Sequence, residues 1–214
     1  MAVVAITGAN RGIGLALSSQ LSQNHEVHAL CRTASSALRQ LPVTIHEGVD
    51  VRDPSTLPET LPQLDILINN AGILRGDSID RLQVSDIQEQ FSVNALGPLL
   101  VTHALLSKLS SGSKVVIVTS RMGSIADNTS GRMYGYRMSK AAVNMAGKSL
   151  ALDLAPKGIA VALLHPGYVR TDMTGGNGYI STAESARGLI AQIERLNMET
   201  TASFWHCNGD SLPW

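Results

Sequence analysis

Six short apolar runs, none alternating between inward and outward residues, constrain this chain's fold more than any other feature. They are Val3–Thr7, Val27–Cys31, Val43–His46, Ile66–Asn69, Val115–Thr119 and Ile159–Leu164. Runs of this length without alternation predict strands buried on both faces. Between them Ile13–Leu21, Ile79–Leu109 (broken near Gly97–Pro98) and Met138–Leu154 carry apolar residues three and four apart, the helical period. Strand alternating with helix implies right-handed crossovers and a parallel sheet covered on both sides. A last helix around Ala183–Leu196 and a last strand around Ser203–Cys207 complete an α/β, doubly wound parallel sheet of about seven strands.

The 214 residues suit a single domain spanning 1–214, and 44% hydrophobic with 16% charged residues predicts a packed core. Seventeen basic residues balance seventeen acidic ones, which argues against a nucleic-acid or membrane-surface partner. Two cysteines, Cys31 and Cys207, suggest no disulfide framework, and the apolar run before Gly8 is too short for a signal core or membrane span. A cytoplasmic location is therefore expected. The six histidines show no metal-ligand spacing, so no metal is expected. Two stretches are lean: Asp53–Leu64, with Pro54, Pro58 and Pro62, predicts a short or broken crossover helix, and Gly167–Gly178 predicts a mobile loop.

Gly8, Asn10, Arg11, Gly12, Ile13 and Gly14 fall directly between the first strand and the first helix. Glycines there permit a tight turn and a close backbone approach to a pyrophosphate, whose charge the start of the helix favours. The spacing Thr7-Gly8-x-x-x-Gly12-x-Gly14 resembles that of the short-chain dehydrogenase/reductase family, which implies a Rossmann fold and a nicotinamide cofactor. Asn69-Asn70-Ala71-Gly72 resembles the family's second motif, implying that Asn70, Ala71 and Gly72 lie beside the adenine ribose. Asp50 and Val51 match the position where such enzymes bind the adenine ring. At the end of the second strand stands Cys31-Arg32 rather than the carboxylate that binds a free ribose 2′-hydroxyl. Arg32 and Arg11 are suited to a 2′-phosphate, so NADP(H) is expected over NAD(H). The bland alternative is a pair of solvent-facing arginines.

Tyr136 and Lys140 stand four residues apart at the start of a helical stretch, so phenol and ammonium share a face. An adjacent ammonium favours ionisation of the phenol and brings proton transfer nearer to neutral pH. The resemblance extends to Ser120, at the end of the Val115 strand, as the hydroxyl that polarises a substrate carbonyl. It extends also to Asn94, which in the family holds open a helix turn and supports a proton relay through the lysine. Thr119 and Ser124 are neighbouring hydroxyls, and Tyr134 is a decoy, since only Tyr136 precedes a lysine by four. By the same resemblance Lys140 also binds the nicotinamide ribose, and Val169 and Thr171, in Pro166-Gly167-Tyr168-Val169-Arg170-Thr171, contact the nicotinamide. Met133–Ala142 and Asn208–Trp214 are similar to the C-factor and sniffer-like carbonyl reductase branch.

These residues imply an NADPH-dependent oxidoreductase acting on a small-molecule carbonyl or alcohol, most simply a carbonyl reductase, with a homodimer or homotetramer expected from the family. One alternative is a nucleotide-binding signalling or regulatory protein of the same fold with little turnover. Another is the same enzyme using NAD.

Overall fold

The computed structural model describes Met1–Trp214 and contains one seven-stranded sheet. Its strands are β1 (Val3–Thr7), β2 (Glu26–Leu30), β3 (Thr44–His46), β4 (Leu64–Asn69), β5 (Leu109–Val118), β6 (Ala160–His165) and β7 (Ser203–His206). Every neighbouring pair is parallel, in the order β3-β2-β1-β4-β5-β6-β7. The helices are α1 (Gly12–Leu21), α2 (Val84–Phe91), α3 (Gly97–Ala104), α4 (Tyr134–Leu154) and α5 (Thr182–Arg195). None is long and apolar enough to cross a membrane.

Two cores explain why the strands do not alternate. Val4 and Ile6 of β1 belong to a core with Leu17 and Leu21 of α1 and Leu189 and Ile193 of α5. Ala5, between them in sequence, belongs to the opposite core with Val101 of α3 and Ala151 and Leu154 of α4. Successive side chains thus point to opposite faces, and both faces are dry.

The sheet order reverses between β1 and β4. The chain winds outward through β2 and β3, then returns to place β4 on the other side of β1. Crossovers leave in opposite directions from that point, so a crevice opens beyond the C-terminal ends of these strands.

Three segments differ from their sequence-based outlines. The long helix expected over Ile79–Leu109 begins only at Val84 and ends at Ala104, and a π-helical turn at Ser92–Leu96 joins α2 to α3 just before Gly97–Pro98. Asp53–Leu64 forms only a 3-10 turn at Pro54–Thr56, because three prolines remove the donors a helix needs. Helix α4 starts at Tyr134, a full turn before Met138. Within the glycine-rich loop, Arg170 donates its N–H to Ile180, and Thr174 Oγ1 donates to the Val169 carbonyl at 2.9 Å, around a 3-10 turn at Asp172–Thr174.

Helix α4 lies on β6 through Gly147, where an added Cβ would stand 2.9–3.0 Å from the Leu163 side chain. Leu163 is fully buried and has nowhere to retreat. Gly147→Ala should therefore destabilise by about 1–3 kcal/mol and Leu163→Ala by about 2–5 kcal/mol. The double variant should lose at least ~1 kcal/mol less than the sum, because the new methyl occupies the vacated space. Urea unfolding of the four proteins measures the coupling, and strict additivity would contradict this packing.

Candidate active site

The crevice at the reversal point has a volume of about 320 Å³ and runs from the ends of β2 and β3 to the start of α4. Its floor is the glycine turn. Gly8 and Gly12 have φ of +67° and +55°, a region L side chains rarely enter. A Cβ on Gly14 would fall 2.2 Å from the Gly8 carbonyl oxygen and 2.5 Å from Asn70 Nδ2. Gly8 itself packs on Ala71, whose Cα would be 2.8 Å from an added Cβ. The second motif braces this turn: Asn70 Nδ2 donates to the carbonyls of Thr7 (3.0 Å) and Gly8 (3.2 Å), and the Thr7 hydroxyl accepts the N–H groups of Asn70 and Ala71 at 3.1 Å each. No side chain caps α1 and no acidic residue stands in its first turn, so its N-terminus remains available to an anion.

Four arginines line the crevice, and three are engaged. Arg11 pairs with Asp172 at 3.5 Å, Arg52 with Asp50, and Arg75 with Glu89 at 3.2 Å. The Arg52 hydrogen bonds hold the Asp50 carboxyl down at about 2. Arg32, lying at the end of β2, makes no side-chain hydrogen bond or ion pair within the chain. It is the arginine free to meet a phosphate. The turn, the uncapped helix and this cation fit a phosphorylated dinucleotide.

At the opposite end of the crevice stand Tyr136 and Lys140, both buried except for a narrow face. Lys140 Nζ donates to the Val118 carbonyl at 3.1 Å and lies 5.8 Å from the Tyr136 ring centroid. An ammonium has three donors, and only this one finds an acceptor in the chain. Gly72 comes close enough that an added Cβ would be 3.9 Å from Nζ and 3.4 Å from Asn94 Oδ1. Ser120 ends the strand path, and its Oγ accepts the Met122 N–H at 3.1 Å. The two rival hydroxyls are committed elsewhere: Thr119 Oγ1 donates to Asn144 Oδ1 at 2.7 Å, and Ser124 Oγ donates to the Trp214 carbonyl at 3.2 Å.

Asn94 lies behind the wall rather than in it. Its Oδ1 accepts the Ile73 N–H (2.8 Å), and its two amide protons go to the Ile73 carbonyl (2.9 Å) and Ser139 Oγ (3.1 Å). Asn94 is the middle residue of the π-turn, which displaces carbonyls from the usual helical ladder. The crevice directly exposes Gly8, Asn10, Arg11, Gly12, Ile13, Gly14, Arg32, Asp50, Val51, Asn70, Ala71, Gly72, Tyr136, Lys140 and Thr171. Ser120 stands just outside, and Val169 is buried in a bridge to Ile180 instead of facing the crevice. Sequence reasoning missed Ile73, Arg75, Glu89 and Val93, which also line it.

The electrostatics depart from expectation. Burial pushes the Tyr136 phenol up to about 12, with the neighbouring Ser120 hydroxyl pulling the other way, and burial pushes Lys140 down to about 8. Desolvation thus outweighs the benefit to the phenol expected from the ammonium. His165, at the end of β6, is pushed down to about 3, first by burial and then by His206 and Arg121, and stays neutral near pH 7.

Residues 2–178 match the short chain dehydrogenase family. The chain is 40% identical, over 100% of both chains, to the 1-hydroxy-2-glutathionyl-2-methyl-3-butene dehydrogenase of Rhodococcus sp. (strain AD45). It is 46% identical to the C-signal of Myxococcus xanthus, over 71% of this chain and 93% of that one. The NADPH-bound carbonyl reductase from chicken fatty liver superimposes with a TM-score of 0.90 at 30% identity, covering 100% of this chain and 99% of the other. The chain belongs to the short-chain dehydrogenase family, a family of nicotinamide-dependent oxidoreductases.

The buried pair predicts an unusual stability profile. Between about pH 8 and 10 the unfolded chain keeps the Lys140 proton while the folded chain releases it. Unfolding then takes up a proton, so stability rises with pH, approaching about 1.4 kcal/mol per pH unit. Above about pH 10 Tyr136 acts in the opposite sense, because the folded phenol keeps a proton that the unfolded one loses. Urea unfolding across pH 7–11 should show the rise in wild type and not in Lys140→Met. Parallel profiles would refute the burial argument.

Proposed function

We propose that this protein is an NADPH-dependent carbonyl reductase, running reversible hydride transfer between the nicotinamide and a small-molecule carbonyl. The observation that carries this reading is a single crevice with an unpaired arginine at one end and a buried tyrosine–lysine pair at the other. NADPH in the chicken carbonyl reductase supports the cofactor half, and the dehydrogenase named for the Rhodococcus relative supports the reaction half.

When bound, the reduced nicotinamide supplies the hydride, which no side chain can. The protein's part is positional and electrostatic. The glycine turn and the α1 N-terminus receive the pyrophosphate charge, and Arg32, with Arg11 released from Asp172, pairs with the 2′-phosphate. The backbone of Asn70–Gly72, with Asp50 and Val51, bounds the adenosine. Lys140 offers its two unfilled donors to the nicotinamide ribose, and Thr171 closes the nicotinamide end. Ser120 donates to the substrate oxygen and stabilises the charge developing there. Tyr136 gives that oxygen its proton, and takes one back in alcohol oxidation. A phenol held near 12 is protonated at neutral pH, which suits reduction. Asn94 contributes by holding the π-turn open beside Lys140. Val169, enclosed behind Thr171, acts through its backbone alone.

A regulatory reading keeps the nucleotide and dispenses with turnover, and the resemblance to the C-signal gives it standing. Self-association is part of either reading: Met138, Met145 and Leu152 leave an exposed apolar stripe along α4.

Fluorescence titration with NADPH and NADH should show NADPH at least tenfold tighter, as one or two charge-assisted hydrogen bonds of about 1.5–3 kcal/mol each would give. Arg32→Asp should abolish that preference. Tyr136→Phe should bind NADPH normally while losing about 10²–10⁴-fold in turnover of an activated aromatic aldehyde. Equal affinity for the two nucleotides would overturn the cofactor assignment; NADPH binding without turnover of any carbonyl would favour the regulator.

A further inference from the structure

The three residues before α4 are all left-handed: Gly131, Arg132 and Met133 have φ of +62°, +57° and +55°. L residues enter this region singly, and rarely two together. Such a turn persists only where its surroundings over-determine it. Here two side chains from different parts of the chain do so. Asp77, in the loop after β4, accepts the Tyr134 and Gly135 N–H groups on its carboxylate, and its carbonyl accepts the Met133 N–H at 3.1 Å. Helix α4 has no side-chain cap of its own, so Asp77 supplies it from 57 residues away.

The second is Arg137, the residue after Tyr136. Its Nε donates to the carbonyls of Gly131 and Arg132 at 3.2 Å each, and one terminal nitrogen donates to Ser130 Oγ at 2.8 Å. The other reaches across to the Met122 carbonyl at 3.4 Å. Met122 is the residue whose N–H is held by Ser120 Oγ. One planar guanidinium therefore ties the strained turn, the first turn of α4 and the Ser120 loop into one piece. A lysine cannot reproduce this fork, since it is a point donor without a fixed plane.

We propose that Arg137 is a positioning residue: with Asp77 it fixes Tyr136 against Ser120 by clamping the left-handed turn between the β4 and β5 loops. It is not among the residues that line the crevice. The inference rests on the reading of Tyr136 as the proton donor, and goes beyond it by giving a role to a position that the Tyr-x-x-x-Lys pattern leaves free. Because the clamp acts on the separation of two groups, its loss should appear in the chemical step and not in nucleotide affinity.

The test uses the full chain as wild type, Arg137→Lys, Arg137→Gln and Tyr136→Phe. Three quantities are measured: hydrogen exchange over residues 128–140, NADPH affinity by fluorescence, and single-turnover reduction of 4-nitrobenzaldehyde with NADPH carrying hydrogen or deuterium at the transferred position. In both Arg137 variants the amides of Tyr134–Arg137 should exchange at least about tenfold faster, with NADPH affinity within about twofold of wild type. The single-turnover rate should fall about 10–100-fold, with the deuterium effect undiminished. Wild-type rate or wild-type exchange in Arg137→Lys overturns the proposal. So does a parallel loss of NADPH affinity and global exchange protection, which would mean that Arg137 only holds the fold together. Retained turnover in Tyr136→Phe, or none in wild type, instead defeats the catalytic reading beneath it, and the two failures are told apart by that comparison.

Discussion

Of all the glycines, Gly14 has the least room: an added Cβ would run into the Gly8 carbonyl and the Asn70 side-chain amide. Much else depends on it. Strands β1 and β4 are neighbours in the sheet, yet the residues that join their ends, Thr7 and Asn70, are 63 positions apart. Their hydrogen bonds close the sheet at the point where its order reverses. The same contacts aim α1 at the crevice and leave its first amides unpaired. A methyl group at position 14 would disturb the floor of the site and the packing of its first helix at once.

At the other end the governing term is desolvation. Tyr136 and Lys140 are drawn out of water by α4, the β5 end and the Asn94 turn, and each moves away from its charged form. Such burial is a cost to folding that a bare scaffold has no reason to carry. Lys140 finds one acceptor where it has three donors. A nucleotide-binding regulator would use the glycine turn, Arg32 and the Lys140 donors, but it would not need the buried phenol of Tyr136. The buried phenol beside that lysine is the physical ground on which the proposed turnover is preferred to regulation.

Much of the sheet was legible because strands buried on both faces leave uninterrupted apolar runs, and the helices between them keep a clear period. The sequence also put Arg32 just past β2, and there it lines the crevice. What escaped was set by contacts distant in sequence. The first turn of α4 was invisible because its cap is Asp77, from another loop. The open helix turn at Asn94 was expected from the family resemblance, but its π-helical form at Ser92–Leu96 and the partner that holds it, Ile73, 21 positions back, were not. Arg75 and Glu89 line the crevice as a pair whose members look like ordinary surface charges when read singly. The balance between Lys140 and burial at Tyr136 depends on depth, and spacing carries no information about depth.

These omissions have a common form, and it bears on how the site works. The bonds that sequence reasoning did not foresee link one wall of the crevice to another: Asn94, itself expected at the site, ties α2–α3 to the β4 loop through Ile73, Arg75–Glu89 does so farther out, and Asp77 and Arg137 tie α4 to the loops after β4 and β5. On the proposed reading the motif residues supply the chemistry, yet they are borne on separate elements. Proton transfer between a phenol and a substrate oxygen polarised by a serine tolerates little error in separation. The groups that suppress that error must bridge elements, so they are set by the fold and not by a local pattern. Catalytic competence in such a crevice is accordingly a property of the bridges as much as of the motif.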